Sequence, residues 1–143
     1  MFQTARTILY HKCWVLYYGL THLLELSIED WPKYLFNLLV HDWSKFRPCE
    51  FIGHMQYHGY PVDDRRDIAF SYHLEKTNHH WQNWINEEMP LVYLLEMISD
   101  WQAVSKSYPN KVPIQQYWKE LHKSGIHQKT QIAVSYFIEG LAK

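Results

Sequence analysis

Apolar residues recur at spacings of three and four along nearly the whole chain, which is the period of a helix with one buried face. Ile8, Val15 and Tyr18, followed by Leu20, Leu23 and Leu24, predict a first helix over about residues 4 to 25. Ser27-Ile28-Glu29-Asp30 reads as a turn into a second helix. Pro32 falls near its first turn, where a missing N–H costs nothing. This helix carries Tyr34, Leu35, Leu38 and Leu39 and is expected to end close to His41-Asp42. A short helix over about 50 to 58 precedes Gly59-Tyr60-Pro61, a turn signal. Asp63 or Asp64 is placed to cap the next helix, over about 64 to 86. Pro90 opens another, over about 90 to 106, with Leu91, Leu94, Leu95, Ile98 and Val104 as its apolar positions. Tyr108-Pro109-Asn110 breaks it, and two closing helices follow over about 113 to 123 and 127 to 141. No period-2 strand, glycine-rich phosphate loop or internal repeat is visible. The expected fold class is all-α, a single bundle of about six or seven helices spanning 1 to 143.

Composition narrows the function. A chain of 143 residues that is 47% hydrophobic can bury a core of its own. Its net charge is -1 with histidine neutral, with no basic run of the kind that wraps extended nucleic acid. Cys13 and Cys49 make no disulfide framework and read as free thiols. Charge or histidine interrupts every apolar run before it reaches the roughly 20 residues of a membrane span. The first residues carry no cleavage-site pattern of a secretory signal, so a cytoplasmic protein is expected. Ten histidines and seven tryptophans are the unusual counts, roughly three times average usage. The tryptophans suit a small core filled by large rings. The histidines are the chemical signal, because imidazole is the commonest metal ligand and titrates near neutrality.

Four segments place polar residues where core would be expected. His11 shares a face with Val15 and Tyr18 on the first helix, a position where a lone histidine is usually a satisfied core or boundary residue. HDWSKF, residues 41 to 46, closes an apolar run with two metal-ligand types side by side. SYHLEKTNHHWQNW, residues 71 to 84, contains His73, Asn78, His79 and His80. Read as one helix, it lets only one of the adjacent histidines point with His73. Asp100 sits in an apolar stripe with Met97 and Trp101, four residues after Glu96, where a carboxylate is costly unless paired or bound to a cation. His54 and His58 have the i, i+4 spacing that lets two imidazoles meet one ion, without the glutamate of a zinc-protease helix.

The order His11, His41-Asp42, His73, His79-His80, Asp100 resembles the HD-domain superfamily of metal-dependent phosphohydrolases. More narrowly, HDWSKF, NHHW and EMISDW look like a small family of uncharacterised bacterial and phage proteins. The superfamily resemblance implies an all-helical fold. It also implies one or two divalent transition ions (Mn, Fe, Zn, Co or Ni) held by His11, His41, Asp42, His73, His80 and Asp100. On one straight helix the Cα atoms of His73 and His80 would stand roughly 10 Å apart, so His54 or His58 is an alternative third histidine. Lys45 would lie on the rim facing phosphate, as in the cyclic-dinucleotide branch of the superfamily. His79 would protonate the leaving oxygen. Glu50 or Glu96 would orient a ligand imidazole or the attacking water. Trp43 and Phe46 are expected to be core anchors beside the pair. The implied activity is hydrolysis of a small phosphate ester, for example a nucleotide. A di-iron oxygenase and a non-catalytic metal- or nucleotide-binding module are the alternatives.

Overall fold

The computed structural model describes residues 2–55, 65–108, 111–121 and 123–141. Among these are seven α-helices and no strand; one isolated bridge joins Ile85 and Ile126. The helices are α1 (Phe2–Thr21), α2 (Trp31–Val40), α3 (Pro48–Met55), α4 (Arg65–Lys76), α5 (Leu91–Ser107), α6 (Ile114–Glu120) and α7 (Gln128–Gly140). The expected all-α class and helix number hold. His58, Gly59-Tyr60-Pro61, the caps at Asp63 or Asp64, and Pro109-Asn110 lie outside the described residues.

α5 is the axis of the fold. Its run Leu94–Asp100 is buried at every position, so polar as well as apolar side chains of this helix are enclosed. α1 lies along α5 over most of its length, α2 packs against both, and α6 and α7 cover another side of α5. The core joins Val15, Tyr34, Leu38, Leu95, Ile98 and Val134 across these elements. α3 and α4 form a second pair that reaches the rest through α1 and the 3-10 turn Trp43–Phe46. One histidine is an ordinary core residue. His22 is buried with Gln102, Nε2 3.1 Å from Oε1, as a satisfied core pair.

α1 and α2 touch at Gly19. A Cβ there would stand 2.5 Å from both terminal methyls of Leu38, itself buried, and the Gly19 carbonyl accepts a hydrogen bond from Tyr34 Oη at 3.2 Å. Alanine at a helix interior ordinarily gains about 1 kcal/mol over glycine, whereas overpacking a filled core costs about 1–3 kcal/mol. The steric loss is expected to win here, because Leu38 is itself buried in the core and must shift to make room. Gly19→Ala is expected to lower stability by about 1 kcal/mol, read as a lower denaturation midpoint at unchanged slope.

Two expectations need correction. α4 was expected to run to about residue 86 but ends at Lys76. The chain then turns and forms a short 3-10 segment, Trp81–Trp84. The turn is tied by side chains: Asn83 Nδ2 donates to Leu74 O at 2.7 Å and Trp84 Nε1 to Asn78 O at 2.8 Å. Trp43 is no core anchor. It is 64% exposed, with the Lys12 ammonium 5.5 Å from its ring centre, while Phe46 is half-buried.

Candidate metal centre

The adjacency of His41 and Asp42 works because the helix stops between them and the next turn. α2 ends at Val40, His41 is extended (φ -47°, ψ 130°), and Asp42 is left-handed (φ 56°, ψ 14°). Neighbours on a helix diverge by about 100°. The left-handed residue removes that divergence, so both side chains enter one site. Aspartate tolerates this conformation better than most residues with a Cβ.

Around Asp42 the structure gathers nearly every candidate. Its Oδ2 lies 3.4 Å from His11 Nε2 and 3.4 Å from His41 Nε2, and its Oδ1 lies 3.3 Å from His73 Nε2. Asp100 Oδ1 stands 2.9 Å from His11 Nε2 and 3.6 Å from His41 Nε2. His11, His41, Asp42 and Asp100 thus form one group whose ligating atoms lie within 4.8 Å of one another; His73, His79 and His80 form a second on the same measure. Asp42 stands between the two groups. The turn after Lys76 brings both His79 and His80 to His73, with ring centroids 5.9 and 4.9 Å away. A continuous helix would have allowed only one.

Two glutamates stand behind the histidines. Glu96 Oε1 lies 3.1 Å from His41 Nδ1 and 3.1 Å from His79 Nδ1. Glu50 Oε2 lies 3.0 Å from His73 Nδ1 and accepts a hydrogen bond from Ser44 Oγ at 3.0 Å. A carboxylate only accepts, so Nδ1 of each ring donates to it, which leaves Nε2 as the atom available to a ligand. Glu50, expected among catalytic groups, is 1% exposed and orients His73. Glu96 links one histidine from each group. The sequence signal for it was its position one turn before Asp100; Ser44 carried none. Glu96→Gln keeps an acceptor oxygen for the two rings but removes the charge, so metal affinity is expected to fall about 10- to 100-fold, measured by competition with a chromophoric chelator.

The electrostatics follow from burial and opposite charge. Burial pushes the Asp42 carboxyl up, but His41, Lys45 and the nearby His11 imidazole outweigh it and hold the carboxyl well below its usual range. Asp100 is likewise held well below, against burial, by His11 and His41. Glu96 falls to about 2 because hydrogen bonds and charge from His41 and His79 overcome its burial. His41 is raised well above 6.5: burial opposes this, and Asp42, Asp100 and Glu96 prevail. His79 is lowered by burial and by His41, and His80 falls to about 2 through burial and His79. Lys45 is turned onto Asp42 Oδ2, with its side chain 13% exposed, rather than standing free on a rim; burial lowers its pKa and Asp42 more than restores it.

The donor set fits a transition metal. The Nε2 atoms of His11, His41, His79 and His80 are buried and make no well-aligned hydrogen bond, although carboxylate oxygens stand near the first two. Buried imidazole nitrogens without partners are costly, and they are the atoms a metal would take. Imidazole with carboxylate suits Mn, Fe, Co, Ni or Zn rather than Ca, which prefers all-oxygen sites.

A cavity of about 340 Å³ opens beside the cluster. Lys45, His73, His80 and Asp100 form its polar side and Trp81 and Trp101 part of its apolar side. His54 and Lys111 also line it. His41, Asp42, His79 and Glu96 border a second cavity of about 370 Å³ together with Arg47 and Lys76.

Fold and site therefore define an all-helical protein built round a largely buried cluster of five histidines and four carboxylates, from His11 to Asp100. The chain belongs to a family of unknown function (DUF5662), which matches residues 1–139. Neither the curated proteins nor the solved structures contain a match. No helix among the described residues is long and apolar enough to cross a membrane.

Proposed function

We propose that this chain is a metal-dependent phosphohydrolase of the HD-domain kind, acting on a small phosphate ester such as a nucleotide. The observation that carries the reading is Asp42, whose two oxygens face different imidazole groups, His11 and His41 on one side and His73 on the other. His11, His41, Asp42 and Asp100 would hold one ion; His73, His79 and His80, with Asp42 shared, would hold a second. A bound divalent ion would make hydroxide available from water near neutrality and polarise a phosphoryl oxygen.

The chain's own groups supply the rest. Glu96 and Glu50 fix the ring orientation of His41, His79 and His73. His79, with its Nδ1 committed to Glu96, suits ligation better than proton transfer. His80, the third imidazole of the group with His73 and His79, lines the cavity of about 340 Å³, so the ion it would hold would face a substrate bound there. Lys45 and Lys111 bring positive charge to the same cavity, and Trp81 and Trp101 offer faces on which a base can stack. Lys45→Met is expected to raise KM about tenfold, the loss of one charged hydrogen bond, at unchanged metal content in elemental analysis.

The deciding experiment joins elemental analysis with a screen of nucleotides and model phosphodiesters in the presence of Mn, using Asp42→Ala as control. Metal-dependent turnover by the wild type alone supports the reading. Equal inertness of both proteins defeats it. An imidazole-rich donor set also suits iron. Two bound irons with a visible absorption band would favour the oxygenase. A bound ion with no turnover of any kind would leave a binding module.

A further inference from the structure

The outer faces of α1 and α2 are apolar where an isolated molecule would be polar. On α1, the exposed residues Tyr10, Cys13, Tyr17 and Leu20 follow spacings of three and four, and Leu24 continues the series beyond the helix end. That is the a/d spacing of a coiled-coil seam. It lies opposite the buried stripe of His11, Val15 and Gly19, which already packs inside the molecule. Among its four large residues exposure runs from 49% at Leu20 to 86% at Leu24. α2 widens the patch with Phe36 and Leu39, both more than half exposed. The two helices adjoin here, since Lys12 Nζ of α1 donates to Leu39 O at 3.1 Å.

We propose that this surface is the interface of a two-fold dimer, with α1 packed antiparallel against α1 of a second copy. Large side chains at these exposures each present on the order of 100 Å². The seam and its α2 extension together approach the ~800 Å² that one partner gives to a standard interface. Monomers rarely leave an apolar patch of more than a few hundred Å² uncovered.

Charge sets the orientation. α1 carries Arg6 and Lys12 and no acid, whereas Glu25, Glu29 and Asp30 follow directly after its end. All five except Lys12 are exposed, and Lys12 is half-buried. Antiparallel pairing sets the basic half of each α1 against the acidic end of the other; parallel pairing sets like against like. A two-fold axis near Leu16 brings Arg6 opposite Glu25 of the second copy, twice per dimer.

Sedimentation equilibrium of the full chain tests this. The wild type is expected to sediment as a dimer at micromolar concentration. Leu20→Glu combined with Tyr17→Glu should sediment as a monomer with unchanged circular dichroism, because both residues are already exposed. Ile132→Glu with Tyr136→Glu, exposed on α7, should leave the dimer intact. Arg6→Glu should weaken association about three- to tenfold, and adding Glu25→Arg should restore it. A wild type that is monomeric at 100-fold higher concentration (about 100 μM on the scale of transient complexes) overturns the proposal. So does a dimer that survives the α1 changes. Failure of Glu25→Arg to rescue Arg6→Glu overturns the antiparallel arrangement.

Discussion

Asp42→Ala is expected to strip the protein of bound metal and abolish metal-dependent hydrolysis. Asp42 contacts ligands of both groups, so its loss affects both, whereas His11→Ala removes a donor from one only. Metal affinity should fall by more than about a hundredfold, exceeding the effect of an outer orienting residue. Stability should also change. The substitution leaves the Lys45 ammonium, largely buried, without its carboxylate. Breaking such a pair costs about 3–5 kcal/mol. It also places alanine at φ 56°, a region that residues with a Cβ avoid. Asp42→Asn separates these contributions, since asparagine accepts the left-handed conformation while losing the charge and one of the two acceptor oxygens. Elemental analysis and thermal melts of the two variants, side by side, check the prediction. Full metal content in either variant would remove Asp42 from the ligand set.

Acid is expected to destabilise the metal-free protein well above the range where carboxylates titrate. In the unfolded chain imidazoles titrate near 6.5. In the fold, burial with Lys45 nearby holds His54 down to about 3, burial with His79 holds His80 down to about 2, and His79 itself is lowered. Below about pH 6.5 the unfolded chain therefore binds protons that the fold refuses, and stability falls as pH falls. The depressed carboxylates Asp42, Asp100 and Glu96 add a second loss lower down: their contribution is present above about 4 and disappears on further acidification. His41 acts in the opposite sense. Its raised pKa contributes stability in full below about 6.5 and loses it as pH rises through the folded value. Four depressed imidazoles, counting the buried His22, against one raised leave a net loss toward acid. Melting temperature should drop by about 10 °C between pH 7.5 and 5, equivalent to a few kcal/mol. A melting temperature that stays level or rises would mean these imidazoles are charged in the fold.

The helices were legible because spacing of three and four is a local property. α1, α2, α5 and α7 appear where Ile8, Tyr34, Leu95 and Val134 predict them. The order of His11, His41-Asp42, His73 and Asp100 was legible too, since each interrupts an apolar face at a cost that calls for a partner. The end of α4 was not. Between residues 65 and 90 no proline or glycine marks a stop, and the turn is held by Asn83 and Trp84 reaching back to main-chain carbonyls, contacts with no fixed sequence spacing. This one misplaced boundary hid the convergence of His79 and His80 on His73. The exposure of Trp43 was hidden for a related reason. Being next to buried residues in sequence says little once the backbone turns left-handed at Asp42.

α6 and α7 contribute no residue to the metal groups, yet they are tied to the segment that follows the paired histidines. Asn86 N donates to Gly125 O at 3.0 Å, Met89 N to Thr130 Oγ1 at 3.0 Å, and Lys129 pairs with Glu88. Those bonds close a span of about forty residues between the histidine turn and the last helix. The entropy lost in ordering that turn is therefore offset partly by contacts made near the C-terminal side of the chain. The last two helices act as a splint. Sequence drift within them would surface as altered ion retention at a cluster to which they supply no ligand.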